Sequence, residues 1–295
     1  MSLRRFGSRP SSANVQSEPV NPETEIQPAT ETRRPNAGST VVIRPVTDLE
    51  GFARCVELQL EVWGYDDADA MPKRLFLVAE RIGGQVICAF DSAVPRGTSL
   101  YDNMIGFAMA LPGYRNGHAY LHSHMLAVSE AYRNSGIGRA LKLAQRDDAL
   151  ARGIDLIEWT FDPLEIKNAH LNIERLGAIS RRYAPDLYGT TTSGLQGGLP
   201  SDRLFAEWWL RSNRVQSILS GAEISRQRVL QTVKVPHEVY DWRVNNPDKA
   251  LAVQTANREE LQRALRNRLE IVGFSRDEQG NGSFELGRWD EEFFY

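Results

Sequence analysis

The stretch AYRNSGIGRALKLAQRDDAL, residues 131–150, combines positive charge with two glycines at the predicted start of a helix. Between Ala131 and Gln145 it contains no acidic residue, although the formal net charge of the chain is -3. Gly136 and Gly138 stand where an apolar spacing typical of a helix begins. The apolar residues of that spacing are Ile137, Ala140, Leu141 and Ala144. The cations are Arg133, Arg139, Lys142 and Arg146.

A strand, a short turn and then R-x-x-G-x-G at the start of a helix is a pattern that can hold phosphate. The first N–H groups of a helix have no intrahelical partner, and the helix dipole favours an anion there. Glycine lets the backbone approach a ligand closely. The pattern is one glycine short of the dinucleotide motif and lacks the G-K-[ST] of a P-loop. From the residues alone, the alternative is a glycine-containing turn before a basic, solvated helix.

The patterns around this stretch predict alternating strands and helices. STVVIRPV is a predicted strand, a helix runs from Asp48 to Val62, and a second helix covers residues 72–82. Three strand-like runs, QVICAF, NMIGFAMAL and AYLHSHMLAV, lead into the stretch. Behind it come the strand IDLIEWTF, a helix over DPLEIKNAHLNIERLG, and the strands AISRRYA and RLFAEWWLRS. A long irregular connection over 185–201 joins the last two strands and is a candidate binding loop.

The composition divides the chain into three parts. Residues 1–38 are rich in Ser, Pro, Thr, Asn and Glu and almost lack large apolar side chains, so we predict a disordered tail. Residues 39–213 carry the patterns described above. Residues 214–295 restart with a strand near VLQTVKV, a helix over 247–272 and a strand at SFELGRW. Such a segment makes a thin core by itself, so we expect it to pack on the central part, with a homodimer contact left open.

The bulk composition is that of a globular protein with a sizeable core. Hydrophobic residues make up 41% of the chain and charged residues 25%. The slightly acidic balance argues against nucleic acid or an anionic membrane as partner, and no apolar run approaches the roughly 18 residues of a membrane span. Cys55 and Cys88 lie in apolar stretches and are interpreted as buried, reduced thiols. The start lacks the apolar run of a secretory signal, so we expect a cytoplasmic protein.

The segment MLAVSEAYRNSGIGRAL, residues 125–141, resembles the acyl-CoA-binding motif of the GNAT acyltransferase superfamily, in which R/Q-x-x-G-x-G/A follows the fourth strand. WTFDPLEIKNAHLNIERLGA and GLQGGLPSDRLFAEWW resemble a bacterial subfamily of predicted GNAT acetyltransferases with a similar C-terminal extension. The resemblance spans residues 41–290. It implies an α/β (α+β) fold, with a mixed, mostly antiparallel sheet flanked by helices, and a small α+β extension over 214–295.

The resemblance also implies acetyl-CoA or another acyl-CoA as co-substrate, with no metal. Pantetheine would pair with the strand before the motif, and pyrophosphate would lie at the start of the helix. The residues so implied are Leu126, Ala127, Val128, Arg133, Asn134, Ser135, Gly136, Ile137, Gly138 and Arg139. Asn168 and Asn172, on a predicted polar helix face, are candidates for the pantetheine amides or the substrate. Lys142 and Arg146 are candidates for the 3′-phosphate, but we favour a solvated face for both.

Two histidines are the candidate bases. In histone-acetylating relatives a glutamate six residues before the last valine of the strand deprotonates the amine, and this position is His122 here. His124 shares that face of the strand, and histidine titrates near neutral pH. The alternative is a pair of hydrogen-bonded core histidines; a zinc site is discounted because no third ligand is evident. The tyrosine that many GNAT enzymes use as acid corresponds to Ile173, so Tyr183 is the candidate acid, with Tyr188 or water as alternatives.

The resemblance therefore implies an enzyme that transfers an acetyl or succinyl group from CoA to a primary amine. A small amino acid is a reasonable acceptor, and Arg181, Arg182 and Arg203 are candidates to receive its carboxylate. The expected partner is this small-molecule amine, without nucleic acid or membrane. Two other interpretations remain open. One is a catalytically weak GNAT-like module that binds acyl-CoA or regulates a partner, which the missing tyrosine at Ile173 favours; the other is an unrelated α/β fold.

Overall fold

The computed structural model describes residues 30–33, 40–64, 70–94, 97–189, 198–222 and 227–289. Its strands are β1 (Thr30–Arg33), β2 (Thr40–Pro45), β3 (Gln85–Asp91), β4 (Met104–Arg115), β5 (His118–Val128), β6 (Leu156–Phe161), β7 (Tyr183–Ala184), β8 (Arg203–Trp209), β9 (Gln231–Val235), β10 (Glu270–Arg276) and β11 (Gly282–Gly287). Its α-helices are α1 (Leu49–Trp63), α2 (Lys73–Arg81), α3 (Ile137–Ala151), α4 (Ile166–His170), α5 (Asn213–Ser220), α6 (Val239–Asn245) and α7 (Pro247–Arg266).

A central sheet runs in the order β1-β2-β3-β4-β5-β6-β8-β7. Its neighbouring strands are antiparallel, except that β5 and β6 are parallel. A smaller sheet in the order β10-β11-β9 accompanies α6 and α7 in the C-terminal part. This arrangement confirms the predicted mixed, mostly antiparallel sheet flanked by helices, with a small α+β element at the C-terminal end.

Helices cover both faces of the central sheet. Successive side chains of a strand point to opposite faces, so a single strand contacts helices on both sides. In β3, Cys88 packs with Phe52 of α1 and Phe76 of α2. Its neighbour Ala89 packs with Leu141 of α3 on the other face. All of β3 is buried, which explains why its sequence shows no alternation of apolar and polar residues.

The C-terminal part packs against the central sheet through one continuous apolar core. Val233, Leu261 and Phe274 belong to the same buried cluster as Ile166 and Trp208 of the preceding part. The backbone joins the two parts as well, because Ser180 and Ile271 form an isolated β-bridge.

Two buried ion pairs add polar contacts between these parts. Arg243 of α6 lies 2.7 Å from Asp162 and 2.5 Å from Glu165. Arg258 of α7 donates two hydrogen bonds of 2.7 Å to Asp202, whose side chain is fully buried. Removal of either arginine would leave a buried carboxylate without its counter-charge, which is costly in a protein interior.

Strand β1 lies inside the range where we predicted a disordered tail, residues 1–38. It pairs antiparallel with β2, from Thr30 opposite Ile43 to Arg33 opposite Thr40. An edge strand is held by backbone hydrogen bonds and needs no large apolar side chains, so the composition of the segment does not predict it. The rest of that predicted tail lies outside the described residues.

One predicted helix boundary differs, and one helix is absent from the prediction. The helix predicted over 247–272 ends at Arg266, because Arg268 takes a positive φ of 58° and β10 begins at Glu270. Helix α5 was missed, although Ser212 caps it by accepting a hydrogen bond from the Val215 N–H. The final aromatic residues, 293–295, lie outside the described residues.

Candidate active site

Strands β5 and β6 pair over two residues and then separate. The paired residues are Leu121 with Ile157 and His122 with Glu158. β5 continues to Val128 along β4, and β6 continues to Phe161 along β8. Beyond His122, the side of β5 that faces β6 therefore has no strand partner among the described residues, and an extended ligand can pair there as an added strand. We call this opening the β5–β6 gap.

The three strand residues predicted to bind pantetheine line this gap. Leu126, Ala127 and Val128 keep their pairing with β4 on the opposite side. The side chains of Leu126 and Val128 pack towards α3, while that of Ala127 is buried on the other face. The Arg133 Nε lies 3.4 Å from the Val128 carbonyl oxygen and donates to it. The position of β5 is thus fixed by both faces of the sheet.

A β-bulge interrupts the pairing of β4 with β5 at His124. Met109 pairs with Met125 and Ala110 pairs with Ser123, so His124 is the extra residue on β5. Bulges re-aim side chains and are frequent beside active sites. The rings of His122 and His124 have centroids 6.1 Å apart, so the structure brings the two predicted bases together.

The start of α3 lies beside the gap and has the geometry of an anion site. Asn134 and Gly136 have positive φ angles of 61° and 88°, and Gly136 provides no side-chain cap for the helix. The first turn contains no acid. A Cβ atom on Gly138 would contact only Leu126, at 3.5 Å, among the described residues, so the backbone is uncrowded there. The first N–H groups of α3 are therefore available to a ligand.

The remaining residues of the predicted phosphate site have different surroundings. Arg133 and Asn134 are exposed, whereas Ile137, the first residue of α3, is buried against the sheet. The Ser135 hydroxyl donates to the Tyr132 carbonyl and so stabilises the turn. The Arg139 Nε donates to the Arg175 carbonyl oxygen at 3.4 Å, and partial burial, with the Arg175 charge second, lowers the pKa of Arg139. Arg139 is thus directed at α4 and its following turn.

A row of polar side chains crosses the sheet on the face opposite α3. His122, Glu158 and Glu207 lie side by side on β5, β6 and β8. Their neighbours along the strands contact α3 or lie in the core on its side of the sheet, so the three point the other way. Glu158 is an acid inside the apolar run IDLIEWTF, and an acid in such a run is a sequence signal for a functional polar group.

Arginines surround both carboxylates of this row. Arg115 and Arg182 each place a nitrogen 2.5 Å from Glu158 Oε2, and His122 Nδ1 lies 3.6 Å from Glu158 Oε1. Burial raises the pKa of Glu158, but hydrogen bonds from His122 and Arg115 and the charges of Arg182 and Arg115 outweigh it and lower the pKa to about 2. Glu158 is therefore ionised at neutral pH and can orient the His122 ring.

The second acid of the row is held in the same way. Arg181 and Arg182 both bind Glu207, with Arg181 Nη2 at 2.5 Å and Arg182 Nε at 3.3 Å. The two arginines predicted to receive a substrate carboxylate are therefore partly engaged within the protein. Three arginines face two acids in this cluster, which leaves one positive charge in excess. Arg203, the third predicted arginine, donates to the Asp202 carbonyl and lies over the Tyr188 ring.

His124 has the environment of a neutral imidazole. Its side chain reaches solvent, yet the protein packed around it removes enough water to lower its pKa, and the His122 charge lowers the pKa further. A neutral imidazole can accept a proton, which is the form that a base requires.

Tyr183, the predicted acid, is not brought together with these histidines. β6 and β8 separate its strand, β7, from β5, a distance of roughly 14 Å at ordinary strand spacing. Its hydroxyl donates to the buried Asp202, and burial, followed by this hydrogen bond, raises the pKa of Tyr183. Such a phenol is a poor proton donor, so the geometry does not support Tyr183 as the acid.

Tyr188 is better placed for this role. Its hydroxyl lies 2.8 Å from Thr160 Oγ1, and its side chain is exposed. Thr160 follows Glu158 by two residues on β6 and so shares its face of the sheet, beside the β5–β6 gap. Ile173, which stands where many GNAT enzymes have the tyrosine acid, is fully buried in the apolar core.

The two predicted asparagines do not share a polar face. Asn168 is exposed on α4, but the helix widens into a π-turn over Leu171–Arg175, which turns Asn172 into the interior. Asn172 is 1% exposed, and its Nδ2 has no hydrogen-bond partner among the described residues. The expected 3.6-residue spacing fails here because a π-turn adds one residue to the turn.

The solvated face predicted for Lys142 and Arg146 is wrong for Lys142. The Lys142 side chain is 4% exposed and donates to Ser123 Oγ at 2.7 Å. Arg146 lies nearer the surface and pairs with Asp147 at 3.0 Å. The apolar spacing of α3 gave no signal for the burial of Lys142, because Trp159 of β6 creates its environment from a distant part of the chain.

None of the described histidine, cysteine, aspartate and glutamate side chains form a group of three that could hold a metal ion. Over the same ranges, each helix is too short or too polar to cross a membrane. Cys55 and Cys88 are buried, free thiols with their sulfur atoms 3.8 Å apart, as predicted.

Comparison with known proteins identifies the central part of the chain. Residues 53–177 match the model of the Acetyltransferase (GNAT) family. No curated protein matches. Among solved structures, Arabidopsis thaliana NAA60 in complex with acetyl-CoA has 16% sequence identity and a TM-score of 0.45 over 57% of this chain and 99% of that chain. The structure of yncA from Salmonella typhimurium with acetyl-CoA has 17% sequence identity and a TM-score of 0.43. That match covers 59% of this chain and 95% of the yncA chain.

The matched residues run from α1 through the β5–β6 gap and α3 to the end of the π-turn that follows α4. They contain both histidines and the whole glycine-containing turn at the start of α3. The match to the Acetyltransferase (GNAT) family model therefore covers the candidate bases and the candidate anion site.

Proposed function

We propose that this protein is an N-acyltransferase that transfers an acetyl or succinyl group from CoA to the primary amine of a small amino acid. Acyl-CoA is the co-substrate of GNAT enzymes. The observation that carries the proposal is the position of His122 and His124. They lie together at the closed end of the β5–β6 gap, next to an ionised Glu158.

Acyl-CoA binds along two surfaces in this proposal. The pantetheine arm pairs with β5 at Leu126–Val128, where the strand has no partner on the β6 side. The pyrophosphate lies on the N–H groups at the start of α3, between Arg133 and Arg139. The buried amide nitrogen of Asn172 has no hydrogen-bond partner among the described residues, so Asn172 is a candidate donor to the pantetheine arm, and Asn168 is exposed on α4.

The histidines supply the base. An amine enters as ammonium and must lose a proton before it attacks the thioester carbonyl carbon. Glu158 faces His122 Nδ1 and favours a proton there, which leaves Nε2 as the acceptor, while His124 acts directly or through water. The new C–N bond forms as the C–S bond breaks, and the CoA thiolate takes a proton from Tyr188 or from water.

The acceptor carries a carboxylate in this proposal. The polar row on the open face holds Arg115, Arg181 and Arg182 against Glu158 and Glu207, so one positive charge is in excess. Arg182 is the most exposed of the three, at 38% of its side chain, and pairs with both acids. An amino acid places its carboxylate on such a guanidinium, which directs its amine towards the histidines.

The test is the release of free CoA, measured with DTNB, from acetyl-CoA and succinyl-CoA over a panel of amines. We expect turnover with amino acids. His122→Ala, His124→Ala or the double variant should lower this turnover by on the order of a hundredfold. The affinity for CoA should stay unchanged in all three. His237→Ala is the control, because His237 is exposed in the C-terminal part. Full activity of the double variant between pH 6 and 9 would remove histidine from the mechanism.

One observation favours a second function. Ile173 fills the position of the usual acid and is fully buried, so the protein could bind acyl-CoA without turning it over efficiently. A binding or regulatory module would show a thermal shift with acetyl-CoA but no CoA release with any amine of the panel.

A further inference from the structure

Lys142 is a buried amine between two strands. It extends from α3 to the central sheet and donates to Ser123 Oγ on β5 at 2.7 Å. On the other side its Nζ lies 3.7 Å from the centroid of the Trp159 ring on β6. The amine thus contacts both strands of the β5–β6 gap from the side of α3.

The two contacts mark the closed end of that gap. The last paired residues are His122 on β5 and Glu158 on β6. Ser123 and Trp159 are the next residues along each strand, so Lys142 bridges the strands at the point where their backbone pairing stops. Lys142 reaches this point from the face of the sheet that α3 covers, whereas the two histidines lie on the opposite face.

Packing alone does not explain a lysine in this place. Among the described side chains, no carboxylate lies within ion-pair distance of Lys142, and burial lowers the pKa of its amine well below the usual value. The network ends at Gln145 Oε1, which accepts from the Ser123 hydroxyl at 2.8 Å. Methionine would fill the same space without the cost of burying an amine.

We propose that Lys142 is a positioning residue for acyl transfer, which sets the separation of β5 and β6 at the closed end of their gap by bridging Ser123 and Trp159. This inference rests on the proposed function. The backbone of Leu126–Val128 receives the pantetheine arm only if β5 diverges from β6 at the right angle, and Lys142 is the side chain that holds both strands at that divergence. The nucleotide part of CoA lies at the start of α3 and does not depend on it.

The test compares two ligands. Calorimetry is carried out on the full chain with acetyl-CoA and with 3′,5′-ADP, which contains the nucleotide part of CoA without the pantetheine arm. We expect Lys142→Met to weaken acetyl-CoA binding roughly tenfold and to lower kcat tenfold to a hundredfold, since misplacement by about 1 Å has effects of this size. The affinity for 3′,5′-ADP should remain that of wild type. Lys167→Met, at an exposed position of α4, is the control.

Loss of stability is separated from loss of positioning by a second variant. Lys142→Met combined with Ser123→Ala and Gln145→Met removes the amine, the hydroxyl and the amide of this network together, so that none of its polar groups is left without its partner and the stability is restored. It should keep the selective loss of acetyl-CoA affinity. Equal losses of affinity for acetyl-CoA and 3′,5′-ADP would overturn the role of Lys142, and so would unchanged acetyl-CoA affinity in a folded variant. Both results would leave the proposed function standing if the wild-type enzyme is active. A wild-type protein that binds neither ligand would overturn the proposed function and the inference together.

Discussion

The substitution Glu158→Gln removes the charge at the centre of the polar row and keeps the shape of the side chain. In the folded protein the pKa of Glu158 falls from its ordinary 4.5 to about 2. One pKa unit corresponds to about 1.4 kcal/mol, so the ionised carboxylate contributes on the order of 3 kcal/mol. Arg115 and Arg182 are 30% and 38% exposed, and water screens part of this interaction. We therefore expect a loss of about 2 kcal/mol at pH 7.

The sign of the pH dependence follows from the lowered pKa. The stabilisation is fully present above pH 4.5 and disappears as the pH falls towards about 2, where folded Glu158 becomes protonated. Urea unfolding of wild type and variant from pH 7 to pH 2 should show a difference that shrinks over this window. Glu57→Gln is the control, because Glu57 is 62% exposed in its pair with Arg54 and should cost less than about 1 kcal/mol. A constant difference down to pH 2 would refute the reasoning.

Three further predictions concern binding and the C-terminal part. Gly138→Asp should abolish acetyl-CoA binding in calorimetry, because a carboxylate would occupy the anion site at the start of α3, and unchanged affinity in a folded variant would exclude that site. Arg258→Met should lower the free energy of unfolding in urea by about 3–5 kcal/mol, since Asp202 is fully buried, and a loss below that of the exposed Glu57→Gln would contradict the buried pair. Truncation after Asn213 should give insoluble or strongly destabilised protein, whereas a soluble, equally stable monomer with unchanged amine selectivity would make the C-terminal part a separate module.

The sheet and the start of α3 could be predicted because their signals are local. Gly136, Gly138 and the apolar spacing that follows them lie within a few residues of one another, and they mark the start of a helix wherever it packs. The alternation along β5 likewise predicts one face for His122 and His124; their rings do lie close together, but the bulge at His124 interrupts that alternation. The family resemblance added the order of the strands and the expected ligand, which local patterns do not contain.

The predictions from sequence fail where residues distant in the chain determine the environment of a side chain. Lys142 is buried because Trp159 covers it, and Glu158 is held by arginines from two other segments of the chain. The π-turn that buries Asn172 and the bulge at His124 each depend on one extra residue, which the periodicity of the sequence does not reveal. Tyr183 is a candidate acid by residue type, whereas the sheet order separates it from β5.

The most direct measurement is the amount of N-acylated amine formed from acetyl-CoA or succinyl-CoA, quantified by mass spectrometry beside the free CoA. We predict equal amounts of the two products with an amino acid acceptor, and loss of both when His122 and His124 are replaced together by alanine. Tight binding of acyl-CoA with no acylated amine, for any acceptor of the panel, would contradict the assignment of acyl transfer to this protein.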